Sequence, residues 1–462
     1  MLNKKEIQTI LNQSLDTGAD FAELFFEETN INNLGIIGQE VINCSSQNIF
    51  GVGVRLLQGI NEVYGYTNDI SFSNILNLVK NLKLNFFGSP QKVISLSEPE
   101  KLPNNIKIPY SSMTKLEKSK KMLNLSKIMK DYDVKIIQTR VNLTEKEQKV
   151  LIANTKGVYQ NDIRNYIHCS LISVSQKDNQ MKENYEVVGK CVGLEFFEIF
   201  DLVKIAKNVS KTAIILLDAK EIKPQKMSVV INNGFGGVIF HEACGHPLEA
   251  SSVAKGFSPF TGKINQKIAS ELVTAYDDGN IKNSWGSLNF DDEGKKTQKN
   301  LLIKDGILKN YLVDLRNGRE MNIESTGSSR RESYKFSPTS RMNSTYIDSG
   351  KDTPQQIIKD TKYGLYAKSL GGGTVVPLTG EFNFVVREGY LIENGKLTFP
   401  VKGAMLIGYG HEILNKIDRV ANDLKLSQGS CGADSGYVPV DVGQPTIRVK
   451  EIIVGGTEKE NF

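Results

Sequence analysis

The stretch MSVVINNGFGGVIFHEACGHP, residues 227–247, combines a short apolar strand, a glycine-rich turn and the start of a helix. Residues 227–231 are rich in Val and Ile, which is typical of a strand. The turn at residues 232–237 lacks the GxGxxG spacing and the following lysine of a phosphate site, so it predicts close packing instead. The helix that begins at Val238 carries two histidines and a glutamate, and we expect it to carry the chemistry of the protein.

The two histidines of this helix, His241 and His246, are five residues apart, and Glu242 lies between them. On a regular α-helix two side chains five residues apart diverge by about 140°. Gly245 tolerates unusual dihedral angles, and Pro247 lacks a backbone donor and disfavours helical geometry at His246. We therefore predict a local π-type widening that brings both imidazoles to one side, where they bind one metal ion. The alternative is that the histidines cap a helix end and that Glu242 is a surface acid.

A third metal ligand must come from elsewhere in the chain, because catalytic zinc usually has three protein ligands and one open position. The candidates by chemistry are Cys431, His411, Glu249, His168 and the other thiols. We favour Cys431 over His411, since the neighbouring Gly429 and Gly432 predict a flexible loop that can approach the ion. Cys244 lies within the motif, but the widened helix is expected to point it away from the ion.

Other polar residues near these motifs are candidates for supporting roles. Glu242 is predicted to be the general base that activates water. Glu249 is placed to orient a ligand imidazole, although an exposed acid fits the sequence equally well. Arg330, Arg331 and Tyr334 are candidates for binding the substrate or stabilising an oxyanion, with a structural ion-pair cluster as the alternative.

The length of 462 residues exceeds one ordinary hydrophobic core, so we expect two domains. The polar, proline-bearing residues 218–226 predict a boundary, which gives domains at 1–220 and 225–462. In the first domain, strand-like runs between helical patterns at 70–84, 115–130 and 200–216 predict an antiparallel sheet with helices. In the second, short strands and many glycines predict a strand-rich, barrel-like domain that carries the metal helix. The predicted fold class is α+β.

Charge, hydropathy and cysteine content exclude several classes of function. The net charge of +5 is spread along the chain and is concentrated in no arm or tail. The charge distribution therefore does not predict nucleic-acid binding. The chain contains no run of 18 or so apolar residues, and its first residues lack the apolar block of a signal peptide. Five scattered cysteines suit reduced thiols. We therefore expect a cytoplasmic protein that binds neither nucleic acid nor membrane.

Six stretches, the histidine motif among them, stand out as motifs. They are GVIFHEACGH at 237–246, DDEG at 291–294, GSSRRESY at 327–334, GGG at 371–373, PVKGA at 400–404 and GQPT at 443–446. Together these residues resemble the TldD/PmbA metallopeptidases, also known as modulators of DNA gyrase. The resemblance covers most of the chain and is densest at residues 234–456.

The resemblance implies the TldD-like, catalytic branch, because TldE-like subunits lack the histidine motif. It implies that Cys431 is the third ligand of one zinc ion per chain, and that Glu242 is the catalytic acid. Such proteins look like homodimers, or heterodimers with a TldE-like chain, that cleave short or unfolded peptides in a cavity enclosed by the N-terminal domain. Two other functions stay open: a non-catalytic regulatory subunit of the gyrase-modulator type, and a zinc hydrolase acting on a non-peptide amide.

Overall fold

The protein is an α+β structure, known from a computed structural model that describes residues 2–102, 106–376 and 379–456. Within these ranges, the α-helical segments are α1 (Lys4–Ser14), α2 (Phe72–Leu82), α3 (Lys115–Lys130), α4 (Phe196–Ile199), α5 (Leu202–Leu217), α6 (Val238–Phe240), α7 (Ala250–Val253), α8 (Leu315–Met321), α9 (Pro354–Lys359) and α10 (Gly410–Ile413). None of them combines the length and apolar character needed to cross a bilayer.

The strands of the described residues outnumber the helices. They are β1 (Phe21–Ile37), β2 (Glu40–Gln58), β3 (Asn61–Thr67), β4 (Ile136–Asn154), β5 (Tyr159–Lys177), β6 (Gln180–Lys190), β7 (Lys220–Glu221), β8 (Gln225–Ile231), β9 (Ala275–Asp278), β10 (Lys299–Lys304), β11 (Ile307–Leu308), β12 (Ser329–Arg330), β13 (Thr339–Ser340), β14 (Ser344–Ile347), β15 (Tyr363–Val376), β16 (Glu381–Glu393), β17 (Lys396–Lys402), β18 (Met405–Tyr409), β19 (Ile417–Val420), β20 (Lys425–Ala433), β21 (Gly436–Gln444) and β22 (Ile447–Gly455).

The N-terminal half is built on one antiparallel sheet of six strands, in the order β3-β2-β1-β4-β5-β6. Helices α1 and α2 share one hydrophobic core with its first strands, and α3 and α5 share a second core with β4 to β6. Helix α3 spans the predicted 115–130, and its Met122, Leu125 and Met129 are buried while its lysines mostly face solvent. The predicted antiparallel sheet with helices is confirmed.

Strands β1 and β2 are longer than the sequence indicates. Apolar alternation predicts strands at 21–28 and 51–57. In the structure, β1 continues through polar residues to Ile37, and β2 already begins at Glu40. Asparagines such as Asn30 and Asn32 have low strand propensity. Their strand conformation is imposed by pairing with β2 on one side and β4 on the other.

The C-terminal half contains a closed five-stranded barrel, which confirms the predicted barrel-like domain. Strands β15, β16, β18, β22 and β8 pair in that order, and β8 pairs back with β15. A second sheet has the order β11-β10-β9-β14-β21-β20. At the predicted domain boundary, β7 pairs with β17 beside the barrel. The division at 1–220 and 225–462 itself stays a prediction.

The turn after β8 joins the barrel to the second sheet. It forms a 3₁₀ turn, Gly234–Gly237, that packs against β20 and β21. A Cβ atom on Gly237 would lie 2.5 Å from backbone atoms of Gly443, which no side chain permits. The glycines therefore serve close packing, as predicted, and they fix where the following helix begins.

Buried ion pairs join the two halves. Arg331 is paired with Glu23 of β1, and both side chains are fully buried. Arg55 of β2 is likewise paired with Glu293, and Arg164 of β5 lies 2.7 Å from Asp292. The DDEG and GSSRRESY motifs thus contribute directly to the contact between the halves.

Replacing Glu23 by Gln is expected to lower the free energy of unfolding by about 3–5 kcal/mol, because it leaves the buried Arg331 guanidinium without its partner charge. Urea denaturation followed by circular dichroism measures the change. Asp131→Asn is the control, since the Lys127–Asp131 pair is exposed and contributes little. Equal stabilities of the two variants would contradict the structural role of the buried pair.

Candidate metal centre

The histidine motif occupies a helix whose geometry changes along its length. The α-helical residues Val238–Phe240 are followed by a π-helical turn, His241–Gly245, and by a 3₁₀ turn, His246–Leu248. The His246 N–H group donates to the His241 carbonyl oxygen, a hydrogen bond across five residues. The predicted π-type widening is confirmed, and it turns both imidazoles to one side of the helix.

Gly245 is required for space rather than for its dihedral angles. Its φ of −58° and ψ of −56° are ordinary helical values, so the predicted need for unusual dihedrals is wrong. A Cβ atom at this position would lie 2.1 Å from the sulfur of Met342, which is fully buried. Met342, two residues before β14, packs so closely against the turn that only glycine fits at position 245.

Three potential metal ligands converge beside the π-helical turn. The Nε2 atoms of His241 and His246 each lie 3.2 Å from the Sγ atom of Cys431. One ligand atom from each residue lies within 4.8 Å of the other two. A nitrogen and a sulfur ligand of one tetrahedral zinc ion lie about 3.5 Å apart, because the Zn–N and Zn–S bonds are about 2.0 and 2.3 Å long. The donor set and its spacing therefore fit one zinc ion.

Cys431 reaches this point from a strand rather than from a flexible loop. It lies in β20, opposite Val438 of β21, so the predicted loop is wrong. The glycines that suggested a loop, Gly429 and Gly432, are paired strand residues. A strand holds the thiol more rigidly than a loop would, and Cys431 is 4% exposed.

The electrostatics of the cluster favour the thiolate form of Cys431. Burial raises the pKa of this thiol, but the imidazoles of His241 and His246 outweigh burial and lower the pKa to about 3. The thiolate is the form that binds metals. Burial lowers the pKa of His246, whereas Glu249 and Cys431 raise it well above its ordinary value.

Glu249 orients the second histidine. Its Oε2 atom lies 3.0 Å from Nδ1 of His246, which leaves Nε2 directed at Cys431. Such a carboxylate contact fixes the tautomer and the orientation of a ligating imidazole. Nδ1 of His241 is buried and has no hydrogen-bond partner among the described residues.

Arg341 supports the site, although no sequence pattern points to it. Its fully buried guanidinium donates to the Cys431 carbonyl oxygen and, at 2.8 Å, to the Gly436 carbonyl oxygen. Its Nε atom lies 3.9 Å from Oε1 of Glu249. One side chain thus contacts both the strand that carries Cys431 and the carboxylate that holds His246. Only the three-dimensional fold reveals this contact, because Arg341 is distant in sequence from both.

Glu242 borders the cluster beside His246. Its Oε2 atom is 3.8 Å from Nε2 of His246, and its side chain is 28% exposed. The carboxylate therefore borders the cluster and remains open to solvent. This position suits an acid or base that exchanges protons with water.

The other candidate residues lie outside the cluster. His411 is an exposed residue of α10, and His168, in β5 of the N-terminal half, packs against Trp285 of the C-terminal half. Cys244 is fully buried, with its thiol directed at the Gly410 carbonyl oxygen, so it points away from the cluster as predicted.

Arg330, Arg331 and Tyr334 are nearly inaccessible. Arg330 donates to the Met342 carbonyl oxygen, Arg331 is paired with Glu23, and Tyr334 is 5% exposed. These contacts agree with the structural ion-pair alternative. A role for the three residues in substrate binding stays a prediction.

Three family models match the chain, all described as PmbA/TldA metallopeptidase. Domain 1 matches residues 22–85, the central domain matches 108–217, and the C-terminal domain matches 224–456. The last of these matches contains His241, His246 and Cys431. The first two match segments that share the six-stranded sheet.

Curated relatives extend over almost the whole chain. A metalloprotease TldD homolog of Buchnera aphidicola subsp. Acyrthosiphon pisum is 34% identical, covering 99% of this chain and 97% of its own. A metalloprotease TldD homolog of Haemophilus influenzae is 37% identical, covering 95% and 93%. A zinc metalloprotease TldD homolog of Saccharolobus solfataricus is 24% identical, covering 96% and 99%.

Solved structures share the fold. A Thermotoga maritima protein described as a candidate modulator of a DNA gyrase superimposes with a TM-score of 0.81, at 18% identity, over 98% of this chain and 100% of its own. TldE from Thermococcus kodakarensis superimposes with a TM-score of 0.76, also at 18% identity, over 98% and 100%. At these identities the likeness establishes the architecture.

Replacing Glu249 by Gln is expected to weaken zinc affinity by about 10- to 100-fold, because the carboxylate no longer orients the His246 imidazole. Competition with a fluorescent chelator measures the dissociation constant. Glu412→Gln is the control, since Glu412 is an exposed acid on the neighbouring α10. If both variants bind zinc like the parent, Glu249 does not position the ligand.

Proposed function

Because the chain belongs to the TldD/PmbA family of metallopeptidases, we propose that it hydrolyses peptide bonds with one zinc ion held by His241, His246 and Cys431, and with Glu242 as the general base. The observation that carries this proposal is the convergence of two imidazole nitrogens on one buried thiolate, beside the partly exposed carboxylate of Glu242. A set of three nitrogen and sulfur donors that leaves a fourth position open is typical of catalytic zinc.

A zinc ion held by His241, His246 and Cys431 would polarise a bound water molecule and act as a Lewis acid toward the substrate carbonyl. Glu242 accepts a proton from the attacking water and later delivers it to the leaving amine. Its side chain is partly exposed, so water can reach the carboxylate before each turnover. Glu249 keeps the His246 tautomer fixed throughout, and Cys431 remains a thiolate.

The proposed substrates are short or unfolded peptides. His241 and Cys431 are buried, whereas His246 and Glu242 are partly exposed, so a substrate approaches from the Glu242 side of the cluster. A recessed site of this kind accepts an extended chain and excludes a folded domain. We propose that the N-terminal half and a second subunit complete the enclosure around it.

We further propose a dimer, either of two such chains or with a TldE-like chain, since a protein named TldE shares this fold. We place the activity in the cytoplasm. All five cysteines are free thiols in the structure, which suits a reducing compartment.

Glu242→Gln is expected to retain zinc and to lose about 10²- to 10⁴-fold in peptidase rate, because only the proton transfer is removed. Elemental analysis and cleavage of casein measure the two quantities. His246→Ala and Cys431→Ser serve as the matched variants, and both are expected to lose the metal. Loss of zinc in the histidine variant alone would place the third ligand elsewhere.

Chelation separates the proposed function from its alternatives. Casein cleavage is expected to stop when zinc is removed and to return when zinc is restored, while a stably folded protein is left intact. A regulatory subunit of the gyrase-modulator type would cleave nothing, and its biological effect would survive Glu242→Gln. A hydrolase of non-peptide amides would retain zinc but leave casein uncleaved.

A further inference from the structure

A cavity lies beside strand β5, at the point where its neighbour β6 ends. Strand β6 pairs with β5 only as far as Ile167, so residues 159–166 of β5 have β4 as their only neighbouring strand among the described residues. The cavity there has a volume of about 460 Å³, and residues between 279 and 289 of the C-terminal half form its other wall. His241, His246 and Cys431 do not line it. The cavity is therefore separate from the candidate metal centre.

The register of β4 and β5 identifies the backbone groups that face this cavity. The Asn154 N–H group donates to the Val158 carbonyl oxygen, in line with the regular β4–β5 register. In an antiparallel pair, hydrogen-bonded residues alternate with residues whose N–H and C=O groups point the other way. These groups of Ile163 and Asn165 therefore point away from β4, toward the side that β6 leaves open. They have no hydrogen-bond partner among the described residues.

Three buried side-chain atoms of the cavity wall also lack a partner within the described part of the chain. They are Oδ1 of Asn165, Oδ1 of Asn283 and Oγ of Ser287. Asn165 is only 6% exposed. A buried polar atom without a hydrogen bond is destabilising. Three such atoms around one cavity, together with the open edge of β5, point to a polar occupant that both donates and accepts hydrogen bonds.

The buried charges of the wall are already engaged. Arg164 lies 2.7 Å from Asp292, and Asp162 accepts a hydrogen bond of 3.0 Å from the Asn289 amide. Neither charge therefore requires an ion as its partner. The polar groups left for a ligand in the inner wall are backbone N–H and C=O groups, side-chain amides and a hydroxyl, which match the amide groups of a peptide.

Two lysines give the cavity an excess of positive charge at its exposed side. Lys107 and Lys282 both line the cavity, and both are exposed. Their charges favour a ligand that carries a carboxylate. A short peptide with a free C-terminus combines such a carboxylate with backbone amides.

We propose that the cavity binds a peptide of two or three residues, a product of the proposed hydrolysis, as an added strand beside Ile163 and Asn165. An added strand pairs its own N–H and C=O groups with the open edge. The two β5 residues lie about 6.8 Å apart along the strand, which corresponds to a very short extended peptide. Just beyond β6, the Cys191 N–H group donates to the Asn283 carbonyl oxygen at 3.2 Å and closes that end. The ligand's origin rests on the proposed function, whereas its binding requires no turnover.

Isothermal titration calorimetry with tri-alanine tests the site in the zinc-loaded Glu242→Gln chain, which is expected not to cleave the peptide. Tri-alanine is expected to bind, and binding is expected to persist when a chelator removes zinc. Tri-sarcosine, an isomer whose backbone nitrogens are methylated, is expected not to bind, because it lacks the amide N–H donors of an added strand. Failure of tri-alanine to bind, equal binding of the isomer, or loss of binding on chelation overturns the proposal.

Substitutions on the two walls locate the peptide. Asn165→Leu in one half of the molecule and Ser287→Leu in the other are each expected to weaken tri-alanine binding at least about 10-fold, because leucine removes a hydrogen-bonding group and occupies part of the cavity. Asn142→Leu is the control, since Asn142 is half-buried in the same sheet, bonds to Ser170 and lies outside the cavity. Either cavity variant suffices if the other fails to fold. Unchanged affinity in the folded cavity variants, or an equal loss in the control, contradicts the site.

Trp285, the single tryptophan of the chain, reports binding at this position. Its ring lies 5.3 Å from that of Tyr166, which lines the cavity. Tri-alanine is expected to change the fluorescence with the dissociation constant found by calorimetry, and unchanged fluorescence places the peptide elsewhere. Equal affinity for tri-alanine with an amidated C-terminus refutes a hydrolysis product as the ligand. A chain that binds tri-alanine here but leaves casein intact refutes only the peptidase, and the reverse result refutes only this site.

Discussion

The hydrogen bond from the His246 N–H group to the His241 carbonyl oxygen is the constraint on which the candidate metal centre depends. It spans five residues instead of four, so it widens one helical turn and places two imidazoles side by side. The surrounding fold holds this otherwise uncommon turn in place. Met342 packs against Gly245. Gly410 lies close to Ala243, because a Cβ atom added to Gly410 would lie 2.2 Å from the Ala243 carbonyl oxygen. A rare backbone geometry is thus maintained by contacts from two distant parts of the chain.

Buried ion pairs join the two halves of the molecule, together with one small apolar cluster in which Tyr334 packs against residues of β1 and β4. Arg55, Arg164 and Arg331 are each paired with an acid at this contact, and their side chains are almost entirely buried. Buried pairs of this kind add little net stability, but they penalise any arrangement that leaves one member alone. They therefore fix how the N-terminal sheet sits against residues 291–294 and 327–334, the second of which precedes Arg341.

The parts of the structure that follow from local periodicity could be predicted from the sequence. Helix α3, the strand–turn–helix around the histidines and the π-type turn all have signals within a few neighbouring residues. Cys431 illustrates the limit: its glycine neighbours suggest a loop, whereas pairing with β21 makes the segment a strand. The contacts of Arg341 could not be predicted at all, because they join residues about 90 positions apart, Cys431 and Ser435 among them. Long-range packing decides such contacts, and one sequence does not encode them in any local pattern.

Cys431 is separated in sequence from His246 by 185 residues and from His241 by 190. Proteins are synthesised from the N-terminus and fold domain by domain as they emerge. The histidine turn is therefore made long before the thiolate that completes the cluster, and β20 joins its sheet only when the chain is nearly finished. The order of synthesis itself delays assembly of the cluster, so an incomplete chain lacks one of the three candidate ligands while other unfolded polypeptides are being made nearby.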